Sequence, residues 1–341
     1  MDPKAKRLAL FEEAIKGTYG PYTRDPVFWQ PPEEPGTGGH RGRFLWTDAF
    51  GVVNFITLSR EKGDLHSKKL YLELAKQLVE TVHSVLGRTR DGTSRLPGAT
   101  DEEPLKGGLR TGMPDNLDPD IDGQYHHSLT LWMFALNRLS LATGEPPIHP
   151  CFIVKRFGLE RVVWKISMDM QRKLVDCSGN SNDVVGFFMY QLLQETAEHF
   201  SRLGTTNNSP SLDAEIQQYY CIMADHIVSP PNNPLELGMS LWISHFDRSA
   251  VWSRNLAEAG LIAVCHCFLP NSVIAGGRSQ FRDFFAFLGI KYYLDDPSKP
   301  LHLAAEAMLD VWEEWGPTNL AMFAAALIPG AFRKDFFDDL K

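Results

Sequence analysis

Apolar residues recur along almost the whole chain at spacings of three and four, while strict apolar/polar alternation is nearly absent. The pattern therefore predicts helices and almost no sheet. The run 65–86 shows how such an element is bounded. Tyr71, Leu74, Leu78, Val82 and Val85 share one face, Asp64 precedes them as an N-cap, and Gly87 follows as a C-terminal stop. Asp122 stands in the same capping place before Leu129, Trp132, Met133, Leu136 and Leu139, a run that Gly144 ends. Read this way, the chain holds twelve helices, at 3–17, 47–61, 65–86, 123–143, 152–170, 183–203, 212–228, 235–247, 249–268, 278–289, 301–315 and 318–328.

Alternate helices differ in character. The stretches AFGVVNFITL, LTLWMFAL, VVGFFMYQLL, LGMSLWISHF, FRDFFAFLGI and NLAMFAAALI are apolar nearly all round, whereas KKLYLELAKQLVETVHSVL and AEIQQYYCIMADHI are amphipathic. A helix apolar on every face is buried and an amphipathic one lies at the surface. Six buried helices ringed by six surface helices predict an all-α (α/α)6 toroid, a single domain over 1–341. A stack of helical repeats competes with this reading, but no fixed-period repeat is evident. Segments leading into buried helices are long at 18–46, 87–122 and 171–182, and those leaving them are mostly short, as at 62–64. In a toroid the inner helices run parallel, so these long loops and the buried helix starts gather at one mouth, where a binding site is expected.

Composition narrows the function classes. Hydrophobic residues make up 43% and charged residues 22%, as in an ordinary globular protein. The 34 Lys+Arg against 42 Asp+Glu leave a formal charge of −8, which argues against nucleic-acid or anionic-membrane partners. The greasiest stretch, Leu320 to Pro329, is far shorter than the roughly 20 residues of a membrane span. The opening MDPKAKRLALFEEAIKG lacks the apolar core of a secretory signal, and five scattered cysteines fit a reducing compartment, so a cytoplasmic location is expected. Cys265, His266 and Cys267 lie inside a helical run without a second ligand pair and read as buried small side chains, not a metal site. No dinucleotide fingerprint, phosphate loop or nucleophile elbow is present, so no cofactor is expected.

Three motifs mark the mouth: Trp46-Thr47-Asp48-Ala49-Phe50-Gly51, Gly107-Gly108-Leu109-Arg110-Thr111-Gly112 and Asp122-Gly123-Gln124-Tyr125-His126-His127. Together with the helix alternation they resemble the six-hairpin glycosidase-like proteins, α/α toroids that include glycoside hydrolases, polysaccharide-processing enzymes and, more distantly, sugar 2-epimerases. The resemblance implies an α/α barrel and carbohydrate chemistry.

The candidate site follows from these motifs. Asp48 and Asp122 are the expected acid/base pair, with Asp183 as a third mouth carboxylate; each also has the position of a helix cap. Asp118, Asp120 and Asp122 crowd together, and crowding raises one carboxylate pKa against another. Their Asp-x-Asp-x-Asp-Gly spacing opens like a calcium loop, yet Leu129 stands where a bidentate Glu is needed. Asn182, Asp183 and Gly186 are faintly similar to a terpene-cyclase magnesium motif, but Tyr190 stands where an acid is needed. His126 is a proton-transfer candidate; His127, Gln124, Tyr125, Trp46, Asp120, Arg43, Arg110 and His245 are substrate-binding candidates. For Arg41, Arg43 and Arg110 the competing role is a salt bridge to Glu102 and Glu103.

Three functions remain open: an enzyme of carbohydrate or glycoside metabolism, an isomerase or cyclase acting on an apolar natural product, and a non-catalytic binding protein. In the last, Arg43 or Arg110 would neutralise the mouth acids. For the two enzyme readings the partner is a small-molecule substrate; in the third no cavity large enough for a ligand is expected.

Overall fold

The fold was taken from a computed structural model, which describes residues 2–22, 29–31, 41–113, 122–146, 163–176, 181–205, 211–224, 234–268, 280–294, 298–315 and 319–340. Among these, helical periodicity becomes eleven α-helices: α1 (Pro3–Tyr19), α2 (Leu45–Glu61), α3 (Leu65–Leu86), α4 (His126–Thr143), α5 (Ser181–Arg202), α6 (Asp213–Ala224), α7 (Pro234–Ser244), α8 (Val251–Phe268), α9 (Gln280–Tyr293), α10 (Pro300–Trp315) and α11 (Leu320–Leu327). The chain is mostly helical, as its patterning requires. Asp64 caps α3 by accepting from the Ser67 N–H at 2.8 Å. Gly144 ends α4 in the left-handed conformation, φ 73°, that an L side chain resists.

The helix expected over 152–170 is overturned where the structure describes it. Val163–Ile166 is a strand, β2, pairing antiparallel with β1 (Gln124–Tyr125) on one side and β3 (Lys173–Asp176) on the other. Val163, Trp164 and Ile166 are β-branched or aromatic, suited to a pleated surface. β3 also occupies part of the expected loop 171–182, and β1 delays the start of α4 to His126. Asp122 is consequently not a cap: the N-cap of α4 is Tyr125.

The patterning of buried and surface helices is reflected in which helices touch. α2 packs on α4, α4 on α5, α5 on α7, α7 on α9, α9 on α11, and α11 back on α2, so the contacts form a closed cycle. These are the all-apolar helices; fifteen consecutive residues of α2, Leu45 to Ser59, are buried. α7 and α9 approach through glycines: a Cβ on Gly238 would come within 2.1 Å of the Phe285 carbonyl oxygen, so only glycine permits the packing. The amphipathic helices attach outside this cycle, α1 against α11 and α2, α3 against α2 and α4, α6 against α5, α8 against α7 and α9, and α10 against α9 and α11.

Residues 330–337 fill the middle of the cycle. The Phe332 ring lies 4.9 Å from Phe50 of α2, 5.8 Å from Phe134 of α4, 6.1 Å from Trp242 of α7 and 6.3 Å from Tyr292 of α9. Backbone groups of the segment are tied down as well. Trp242 Nε1 donates to the Phe332 carbonyl at 3.1 Å, and the Ala331 N–H donates to Thr57 Oγ1 at 3.0 Å. Arg138, 3% exposed, lies over the rings of Phe134, Phe246 and Phe337 and donates to the Arg333 carbonyl. No described helix is long and apolar enough to cross a membrane.

Candidate functional site

The segments that precede α2 and α4 are laced together by backbone hydrogen bonds. The Leu45 N–H donates to the Thr111 carbonyl at 3.0 Å, and the Thr111 N–H donates to the Gly123 carbonyl at 3.1 Å. The Gly107–Gly112 motif has its reason here. Gly108 and Gly112 have φ of 77° and 81°, and a Cβ on Gly112 would meet the Arg43 carbonyl oxygen at 2.1 Å. Gln124 Nε2 donates to the carbonyls of Gly107, at 2.8 Å, and Met168, at 3.1 Å, joining this motif to the turn after β2. Two of the three motifs are therefore joined directly by backbone hydrogen bonds.

Within this framework Asp122 is enclosed by donors. Its Oδ2 accepts from Arg110 Nη1 at 2.7 Å and from Arg90 Nη1 at 2.8 Å; its Oδ1 accepts from the Gly112 N–H at 2.7 Å and the Met113 N–H at 3.2 Å. Arg110 spends its other donors on the carbonyls of Arg88 and Val85. Neither residue is more than 1% exposed. The competing salt bridges to Glu102 and Glu103 are not formed: Arg110 pairs with Asp122, Arg43 with Asp48, and Glu103 with Lys106.

Asp48, in the first turn of α2, is fully buried. Its Oδ1 accepts from Tyr19 Oη at 3.1 Å and Arg43 Nη1 at 3.4 Å, while its Oδ2 has no hydrogen-bond partner. Burial outweighs the arginine and the phenol, so the carboxyl is pushed up to about 6. Tyr19 reaches it from α1 because residue 51, one turn on, is glycine: a Cβ there would lie 2.0 Å from the phenol oxygen. Asp48 thus faces the outer helix α1, whereas Trp46 faces the aromatic interior beside Phe50 and Phe285.

The histidines gather aromatic rings. His127 lies 4.6 Å from Trp164, 5.2 Å from Trp46 and 5.6 Å from Tyr125, ring centre to ring centre. Trp164, Tyr125 and His127 are half-buried and Trp46 is fully buried behind them. Lys165 Nζ sits 5.0 Å above the Tyr125 ring. The neighbouring His126 points elsewhere, its Nε2 2.9 Å from Tyr219 Oη of α6. Burial pushes His126 down to about 4; burial and its histidine neighbour push His127 down to about 3, so both are neutral at physiological pH. The Nδ1 atoms of both are buried without a hydrogen-bond partner.

His245 is not part of this group. Its Nδ1 donates to the Trp242 carbonyl and its Nε2 accepts from the Lys334 N–H at 3.1 Å, which fixes one tautomer and anchors 330–337. Asp118, Asp120 and the side chains of Asp183, Cys265, His266 and Cys267 lie outside the described residues. Among the described residues no three His, Cys, Asp or Glu side chains converge as a metal-binding group. Sequence reasoning missed Trp164, Tyr219 and Tyr19. Only the β-forming composition of 163–166 gave a signal for the first; nothing in the spacing gave one for the tyrosines. No family model, curated protein or solved structure matches the chain.

Proposed function

We propose that this chain is an (α/α)6 toroid of the six-hairpin glycosidase-like kind and an enzyme of carbohydrate or glycoside metabolism. The closed cycle of all-apolar helices, with amphipathic helices outside it, supports the architecture. The observation that carries the site is the half-buried ring group of Trp164, Tyr125 and His127, backed by Trp46. A pyranose offers an apolar C–H face to such rings and hydroxyls to a nearby polar group. His127 Nδ1 is that polar group: buried, neutral and without a protein partner. Leaving such an atom unsatisfied costs about 1–3 kcal/mol, which a ligand hydroxyl would recover.

Hydrolysis by the pair Asp48 and Asp122 does not fit this arrangement. Both oxygens of Asp122 are taken by four donors, and Asp48 is turned toward Tyr19 on α1. Proton handling on the bound sugar is assigned instead to His127. The same two neutralised carboxylates favour a second reading, a non-catalytic sugar-binding protein.

The test is a titration of monosaccharides, simple glycosides and apolar terpenoid metabolites, followed by tryptophan fluorescence. Saturable quenching by a sugar, abolished in Trp164→Ala, supports the site; saturation by apolar compounds alone, or by none, overturns it. His127→Phe keeps a ring and removes both nitrogens. Turnover lost in that variant with stacking retained identifies the enzyme, whereas binding without turnover in the unaltered protein identifies the binding reading.

A further inference from the structure

We propose that a second site, in the cleft between α3 and the segments 29–31 and 41–43, binds a small polyhydroxylated anion of sugar-acid or sugar-phosphate size. The cleft has a volume of about 390 Å³, within the range of small-molecule sites. One wall is a stripe of α3: Gln77, Thr81 and Ser84 follow at four- and three-residue steps and so share a face, with Glu80 beside them. The opposite wall carries Trp29, an almost buried ring packed edge-on against Phe55. Two arginines line the same cleft, the exposed Arg41 and the buried Arg43.

Each feature has a role for such a ligand. Arg43 is 1% exposed and is held in place by Asp48. A guanidinium carries five donors, so an incoming anion can share it with that carboxylate. Arg41 is placed by its backbone, at φ 49°, and by its Nη2, which donates to the Asp91 carbonyl at 3.3 Å. Residue 92 is glycine beside it; a Cβ there would stand 2.9 Å from Arg41 Nη1. The two arginines take the carboxylate or phosphate, the amide and hydroxyls of α3 take ligand hydroxyls, and Trp29 takes an apolar ring face. Carboxylate and phosphate present the same oxygen fork to a guanidinium, and their relative affinities decide the source.

The experiment is isothermal titration of the full chain with a hexuronate, a hexose 6-phosphate, the neutral hexose and inorganic phosphate. Arg41→Gln removes one guanidinium from an exposed position, and Thr81→Phe fills the cleft. Losing a charge-assisted hydrogen bond weakens binding by about tenfold or more, so Arg41→Gln is expected to weaken the anionic sugar by at least that factor, and Thr81→Phe to weaken it as much by occupying its place. Thermal melting checks that both variants fold. Equal affinity for the neutral hexose, insensitivity to both variants, or no binding at all overturns the proposal. Inorganic phosphate binding as tightly as the hexose phosphate overturns the assignment to a sugar anion. Trp164→Ala leaves this binding unchanged, which separates it from the aromatic site.

Discussion

Arg110 donates from Nη1 to Asp122 Oδ2 across 2.7 Å, with both side chains almost wholly removed from solvent. A charged pair in this setting is costly to break from one side, because the survivor is left buried and uncompensated. Here the survivor would be Arg110, with Arg90 and two backbone N–H groups also losing their acceptor. Asp122→Ala is expected to cost about 3–5 kcal/mol in urea unfolding. A variant as stable as the parent would show that the carboxylate is not structural and would return it to the list of catalytic groups.

Asp48 gives a pH signature of its own. Its folded pKa, about 6, lies above the 3.8 of an aspartate free in water, so the native state holds the proton more tightly than the unfolded chain. Its contribution is fully present below pH 4 and is lost as pH rises through 6. The shift corresponds to about 3 kcal/mol. Asp48→Asn cannot ionise, so its stability relative to the parent is expected to rise by about that amount between pH 4 and pH 7. Parallel stability–pH curves for the two proteins would contradict the burial argument.

The buried imidazoles act in the opposite sense. His83 and His126 are held down at about 4, and His127 and His245 at about 3, all chiefly by burial. Each stabilises the fold fully above its unfolded pKa of about 6.5, and the contribution falls away as pH drops toward the folded value. Four groups outnumber Asp48, so unfolding free energy is expected to decrease from pH 7 to pH 5. In His245→Gln that decrease becomes shallower. Urea titrations at three pH values measure both slopes.

Gly112 and Gly144 share nearly the same φ, 81° and 73°, but differ in surroundings. Nothing lies within 4 Å of a Cβ on Gly144, whereas one on Gly112 would strike the Arg43 carbonyl oxygen. Gly144→Ala is expected to cost about 1 kcal/mol, the usual penalty of a left-handed alanine. Gly112→Ala adds a backbone clash and is expected to cost well over about 2 kcal/mol or to prevent folding. Equal melting shifts for the two variants would remove the steric part of the explanation.

How far the sequence disclosed this structure depended on the range of the contacts. Asp64, Gly87 and Gly144 act on neighbours within a turn, and their helix ends fall where the pattern places them. The alternation of apolar and amphipathic runs likewise separates the helices of the closed cycle from those attached to it. Asp122 has the look of a cap, but the two-residue strand Gln124–Tyr125 intervenes, and that strand exists only because Lys165 and Ile166 pair with it. The partners of Asp48 show the same limit. Arg43 is near in sequence, yet Tyr19 arrives from another helix through a gap that Gly51 leaves. The fold is written mostly in local periodicity; the site is written in pairings that periodicity does not encode.

The place of Phe332 also bears on how the molecule is made. Its ring touches Phe50 and its neighbour Ala331 bonds to Thr57, residues more than 270 positions earlier in the chain. A polypeptide emerging from the ribosome can form α2, α3 and α4 early, but their shared apolar centre stays incomplete until residues 330–337 have been synthesised. That centre therefore stays uncovered while more than 270 further residues are added after Thr57.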